Sequence, residues 1–268
     1  MFEAYAEAGG NFVDTANNYT SGTSERIVGE LVAVGRDQFV LTTKYSLSTR
    51  PDDPNAGGNH RKNLVRAGKV LYPGFSDAPA WVVARAVTLA ELRGWTAFCG
   101  LQVPWSLADR AVKREHLPLA AALDLAVTPW GLLESGELTG KDLAPDGQPT
   151  RSRPESVSPR VNELAREVLA VAAKLGRSPA QVSINWVRQQ ELGCPVVPIV
   201  GAGSAAQLAD NLGCLDLRLS PAQLDRLSAA SAFQPGFPRS FLESDHVRGL
   251  IFGETFDRIA DHRRAAAG

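Results

Sequence analysis

The chain has 268 residues, 44% of them apolar and 21% charged, with a formal net charge of −1. That is the balance of a globular protein long enough for one large domain with a full core or two small ones, and it points away from nucleic-acid and anionic-membrane surfaces. The three cysteines, Cys99, Cys194 and Cys214, are too few and too scattered for a disulfide framework or a zinc set, so no metal site and a reduced, cytoplasmic setting are expected.

The N-terminal MFEAYAEAGG lacks a basic stretch followed by an apolar run, and no run of about 18 apolar residues occurs anywhere, so neither a leader nor a membrane span is expected. Short apolar runs then alternate with helix-period segments, the rhythm of βα units around a parallel sheet. Six strands are predicted, at 11–15, 38–45, 69–76, 97–103, 125–131 and 195–201. Being nearly all apolar, they read as buried on both faces. Helices are predicted at 24–34, 79–94, 109–124, 161–176, 179–190 and 205–215, with apolar residues at i, i+3 and i+4. Ser178-Pro179 and Ser220-Pro221 each read as an N-cap followed by proline at the first helical position. The stretches 46–58 and 141–159 are loops rich in Pro, Gly, Ser and Asp, and both follow strands. No composition break divides the chain, which reads as one domain over 1–268 with a helical tail from about 219.

Asp14 and Lys44 both close apolar runs, where a charge is costly unless paired, so each is a candidate partner for the other. Tyr19 follows Asp14 in a polar loop. An ammonium beside a phenol favours its ionised form and makes it a better proton donor near neutral pH. The cluster is therefore either a general acid tuned by an ion pair or a structural salt bridge beside an exposed tyrosine. Farther on, a strand enters Gly201-Ala202-Gly203, and Ser204 caps a helix carrying Gln207 and Asn211. Such a helix start attracts phosphate, although turn glycines before helices are common and the dinucleotide fingerprint is incomplete.

Taken together, these stretches resemble the aldo-keto reductase family, (β/α)8 barrels of the TIM type that reduce carbonyls with NADPH or NADH. NFVDTANNY and LTTKY resemble the motifs carrying the catalytic Asp, Tyr and Lys, here Asp14, Tyr19 and Lys44. GFSD resembles the family's G-x-S-N, which with the glutamine matched by Gln102 would hold the nicotinamide carboxamide through Ser76 and Asp77. TPWGLLESGELTGK resembles the loop that stacks an aromatic under the nicotinamide and wraps the pyrophosphate, here Trp130, Gly131 and Leu133. PIVGAGSAAQLADNL resembles the adenosine-phosphate segment, with Gly201, Gly203, Ser204, Gln207 and Asn211 as contacts. Residue by residue the plain readings remain, Trp130 as rim packing and Gln102 as a satisfied strand-end polar group.

The sequence also departs from the family. Met1 falls in what resembles helix one. The helix opening at His60 becomes, through Leu64-Val65-Arg66, what resembles the end of helix four. On the order of 40 residues are absent by the size of a βα unit, among them strand four and its catalytic histidine. A deletion between short repeats is one origin. His60 is the nearest substitute; His116, His246 and His262 lie on helices or in the tail. Gly203 stands where NADPH-preferring members often carry a basic residue, and Asp77 replaces an asparagine, exchanging an amide for an acceptor-only carboxylate.

An incomplete barrel of about six strands is expected, whose unpaired edges either re-pair into a smaller or open sheet or are covered by a second copy of the chain. The resemblance implies hydride transfer from NADPH or NADH to a small-molecule carbonyl, slowed by loss of the histidine. The alternatives are a non-catalytic cofactor-binding remnant or interaction protein, and enone reduction or isomerisation on the same scaffold.

Overall fold

The computed structural model describes residues 1–48, 52, 70–143 and 158–259. In chain order the elements are α1 (Phe2–Glu7), β1 (Phe12–Asp14), α2 (Thr23–Val32), β2 (Val40–Thr42), β3 (Gly74–Ser76) and α3 (Ala80–Arg93). They continue with β4 (Gly100–Pro104), α4 (His116–Ala122), β5 (Ala126–Trp130), α5 (Pro159–Leu175) and α6 (Pro179–Arg188). The last four are α7 (Ala205–Leu212), α8 (Pro221–Ala230), α9 (Arg239–Leu242) and α10 (Asp245–Phe252). The expected helix opening at His60 and its Leu64-Val65-Arg66 junction lie outside the described residues, as does most of the loops at 46–58 and 141–159.

The chain forms two compact units, Met1–Leu71 with Ala202–Ala209, and Tyr72–Gly201 with Asp210–Gly268. In the first, β1 and β2 pair in parallel, Phe12 opposite Val40 and Asp14 opposite Thr42. In the second, β3, β4 and β5 form a parallel sheet in that order, which sets Ser76 opposite Gln102 and Gln102 opposite Thr128. The alternating βα order and parallel pairing are those read from the sequence, and the chain is an α/β protein.

The sixth predicted strand, 195–201, makes only one bridge, Val196 to Val127. The cause is a missing donor. Val127 N–H reaches the Pro195 carbonyl at 2.8 Å, and the N–H groups of Val197 and Ile199 reach the carbonyls of Val127 and Pro129 at 2.9 and 2.8 Å. Pro129 has no N–H to return the next bond, so the ladder stops. The strands are also half-buried rather than buried on both faces: in β4, Leu101 and Val103 are buried while Gly100, Gln102 and Pro104 are partly open.

The predicted helix 109–124 is broken. A short 3-10 turn covers Ala111–Lys113, and α4 starts only at His116. That start places Pro118 in the first helical turn, where an N–H is dispensable. α5 starts at Pro159 because Ser158 accepts a hydrogen bond from Val161 N–H, the same Ser-Pro device seen at α6 and α8.

The second unit holds a large core. Val83, Val87, Leu101, Val103, Val127, Val168, Val182 and Ile184 fill the space between sheet and helices. Every residue of α6 from Ala180 to Val187 is buried, including Gln181, Ser183 and Asn185. Its polar groups bind backbone: Asn185 Nδ2 donates to the carbonyls of Gln181 and Cys214 at 3.0 and 2.9 Å. Gln189, just past α6, exchanges two bonds with the backbone of Leu219. By contrast, the buried apolar residues of the first unit are Ala16 and Val32 among the described residues.

Lys113 has an unusual seat. Its Nζ lies 5.8 Å and 5.4 Å from the ring centroids of Trp105 and Trp186 and donates to Gln190 Oε1 at 2.9 Å. Burial, with the guanidinium groups of Arg110 and Arg239 adding to it, lowers its pKa to about 8. The unfolded chain, with an ordinary lysine near 10.4, holds this proton over a pH range in which the folded chain has released it. The Lys113 contribution therefore raises stability as pH climbs from about 8 to about 10.4 and is lost over the same range as pH falls back to about 8. Lys113→Met should flatten that rise. Urea midpoints of wild type and variant at pH 7.5 and pH 10 check it, and equal pH slopes would refute it.

Candidate active site

Two clusters of the expected site residues form, one in each unit. In the first, β1 ends at Asp14, and β2 leads through Thr43 to Lys44. The pairing runs on past the strands: Thr15 N–H binds the Thr42 carbonyl and Asn17 N–H the Lys44 carbonyl, each at 2.9 Å. That register brings Lys44 Nζ to 2.6 Å from Asp14 Oδ2. The two side chains are 21% and 10% exposed, so the pair is largely out of water. Lys44 Nζ also donates to the Thr15 carbonyl at 3.2 Å. Thr42 Oγ1 donates to the other oxygen of Asp14 at 2.7 Å.

Tyr19 opens a 3-10 turn, Tyr19–Gly22. Thr20 and Ser21 both have left-handed backbone, φ 48° and 55°, and Gly22 follows at 86°. Left-handed threonine is strained, and such strain gathers where a side chain must be aimed. Here it sets the Tyr19 ring under Lys44, whose Nζ lies 5.5 Å from the ring centroid. Asn17 Nδ2 fastens the loop to the carbonyls of Tyr45 and Leu47, both at 3.2 Å. Tyr19 is 44% exposed and so open to a substrate. The sequence reading missed Thr42; its signal was its position two residues before Lys44, on the same face of β2.

In the second unit, Ser76 ends β3 with Asp77 just past it, Trp130 ends β5, and Gln102 lies in the middle of β4 opposite Ser76. Asp77 N–H donates to the Gln102 carbonyl at 3.1 Å. Asp77 has φ 51°, a conformation that Asp and Asn accept more readily than most residues. Its Oδ2 accepts from Ser76 Oγ and its Oδ1 from Trp130 Nε1, both at 3.2 Å. Trp130 is 41% exposed.

The loop after β5 turns at Gly131, φ 74°, and the Leu133 carbonyl accepts from the N–H groups of Gly136 and Leu138. The Leu133 side chain packs on the core. Glu134, in the same loop, accepts a hydrogen bond from Ser106 Oγ. Burial pushes its carboxyl up, the Ser106 bond offsets this in part, and the carboxylates of Asp109 and Glu137 add to the rise.

In the glycine segment, Gly203 N–H donates to Gln207 Oε1 at 2.8 Å, and Ser204 Oγ accepts from Gln207 N–H at 3.2 Å, the expected cap. Asn211 is buried and donates to the Gly201 carbonyl at 3.4 Å. Of the histidines, His116 binds the Ala78 carbonyl through Nε2 at 2.9 Å, and His246 lies on α10. His60 and His262 lie outside the described residues. Among the described residues no cluster of His, Cys, Asp and Glu could hold a metal, and no helix is long and apolar enough to cross a membrane.

Parallel strands that carry polar side chains past their C-terminal ends are the arrangement of α/β enzymes. A profile of the aldo/keto reductase family matches this chain over residues 1–67 and 59–232. The chain belongs to that family and is an NAD(P)H-dependent oxidoreductase. It is 30% identical to norsolorinic acid reductase of Emericella nidulans, over 90% of this chain and 74% of that protein. It is also 30% identical to the aryl-alcohol dehydrogenase [NADP(+)] of Phanerodontia chrysosporium, over 99% of this chain and 81% of that one. A putative aryl-alcohol dehydrogenase of Saccharomyces cerevisiae is 28% identical, over 91% and 79%. The Phanerodontia alignment spans 331 positions against a chain of 268 residues, so that relative carries residues with no counterpart here.

Proposed function

We propose that this protein reduces an aldehyde or ketone to the alcohol, with Tyr19 as proton donor. A reduced nicotinamide would supply the hydride to the carbonyl carbon, while the carbonyl oxygen takes the Tyr19 hydroxyl proton. Lys44 packs its ammonium against the Tyr19 ring, Asp14 holds Lys44 in place, and Thr42 holds Asp14. The observation that carries the reading is the largely buried Asp14–Lys44 pair abutting an accessible tyrosine.

The groups at the ends of β3 to β5 fit a nicotinamide: an open indole face beside hydroxyl, carboxylate and amide groups. Ser76, Asp77, Gln102 and Trp130 would hold that end. Gly131 and Leu133 would border the pyrophosphate, and Gly201, Gly203, Ser204, Gln207 and Asn211 the adenosine end.

Aromatic carbonyls are the favoured substrates, in keeping with the two relatives named aryl-alcohol dehydrogenases. We place these residues on a single barrel-type domain that lacks part of the family's pattern. The two profile segments overlap at 59–67, which supports an interruption there. The reading includes loss of the family histidine and slow turnover, and a second copy of the chain against the outer side of β3, which pairs on one side only among the described residues.

The test is calorimetric titration with NADPH and NADH, followed by turnover on a panel of aryl aldehydes, ketones and enones. Binding with aldehyde reduction is the expected result. Binding without any turnover would make the chain a cofactor-binding remnant, enone-only turnover would move it to the other reaction, and no binding would end the cofactor reading.

A further inference from the structure

Asp77 does something a carboxamide contact alone does not require. Its backbone is fixed by two constraints, a left-handed φ of 51° and an N–H bonded to the Gln102 carbonyl at 3.1 Å. Its side chain then reaches the indole of Trp130, 53 residues away, at 3.2 Å, while the second oxygen accepts from Ser76 at 3.2 Å. A carboxylate accepts at both oxygens, whereas an asparagine would offer one acceptor and one NH2 group. With an ionised carboxylate as acceptor, the hydrogen bond from the indole is stronger than one to a neutral amide oxygen at the same 3.2 Å. It holds the ring at its Nε1 edge, and Trp130 stays 41% exposed. Both partners stand at strand ends of one sheet, so the link joins the rim of β3 to the rim of β5 across β4.

We propose that Asp77 is a positioning residue that presets the Trp130 ring as a platform for a flat heteroaromatic ring. This rests on the nicotinamide reading, and within it Asp77 acts through Trp130 instead of through a direct bond to the carboxamide.

The test separates the two routes and does not depend on turnover. Asp77→Gly keeps the left-handed backbone and removes the carboxylate; Trp130→Phe keeps a ring and removes the N–H. Without cofactor, acrylamide quenching and near-ultraviolet circular dichroism of the Trp130 component are read as the difference between chains with and without Trp130→Phe. Asp77→Gly should at least double the quenching constant of that component and flatten its dichroism, and Asp77→Asn should restore part of both. By calorimetry, Asp77→Gly should weaken NADH binding about tenfold in the wild-type background and add nothing in the Trp130→Phe background, as expected of residues acting as one unit.

Additive losses would show direct contact between Asp77 and the cofactor and overturn the proposal, as would unchanged quenching. If the wild type binds neither nucleotide, the cofactor reading fails by itself, and the optical measurements still decide whether Asp77 positions the ring.

Discussion

Replacing Tyr19 with phenylalanine should slow aldehyde reduction by about 10²–10⁴-fold, the usual worth of a positioned proton donor. The variant is clean for a structural reason. Lys44 meets Tyr19 through the ring, 5.5 Å from its centroid, and phenylalanine keeps that face for the cation. Only the hydroxyl goes, so the Asp14–Lys44 pair and the loop at Thr20–Gly22 should stay as they are. Cofactor affinity should be unchanged, because in the proposed reaction the hydroxyl acts in the chemical step and not in cofactor binding. Single-turnover mixing with an aryl aldehyde, with titration of NADPH or NADH alongside, measures both quantities. A variant as fast as the wild type would remove Tyr19 from the chemistry. Lys44→Met is a less clean probe, since it strips Asp14 of its cation, and breaking a largely buried pair costs about 3–5 kcal/mol.

The largest effect on stability is expected at Trp186. Its side chain is fully buried. It meets Trp105 edge-on with centroids 6.1 Å apart and donates from Nε1 to Ser228 Oγ at 3.0 Å. Arg110 and Lys113 lie against its ring at 5.2 and 5.4 Å. Trp186→Ala removes the packing and leaves two cations facing a cavity, so a loss of about 3–5 kcal/mol is expected. Against a typical total of about 5–15 kcal/mol, that is enough to unfold a marginal domain. Chemical denaturation of the variant reads it directly. Trp95→Ala, at an exposed site, is the control and should stay within about 0.5 kcal/mol of wild type. A loss at Trp186 no larger than at Trp95 would mean that α6 is not the centre of the core.

Much of this site was legible because charge at the end of an apolar run is conspicuous. Asp14 and Lys44 stood out for that reason, and they form the expected pair. Ser178 and Ser220 announced their helices because capping chemistry is local, and both caps are made. Ser158-Pro159 carried the same signal inside a stretch read as loop, and α5 begins there. What escaped depended on partners distant in sequence. The failed ladder at 195–201 is explained by Pro129, a residue of the neighbouring strand. The Asp77–Trp130 bond links residues in different βα units, and the role of Thr42 follows from a register that the two strands set between them. Periodicity shows which face of an element is apolar, but it carries no information about which side chain stands opposite.

The uneven share of apolar burial between the two units has an energetic consequence. β1 and β2 carry the proton-transfer candidates, yet Ala16 and Val32 are the buried apolar residues of their unit among those described, while β4 and β5 run through a dense core. Local opening of a segment costs roughly what its burial and bonding supply, so the strands bearing Asp14 and Lys44 should open far below the free energy of global unfolding. A ligand that binds only the ordered form would stabilise this part of the chain by mass action, and some of its intrinsic affinity would go into ordering β1 and β2.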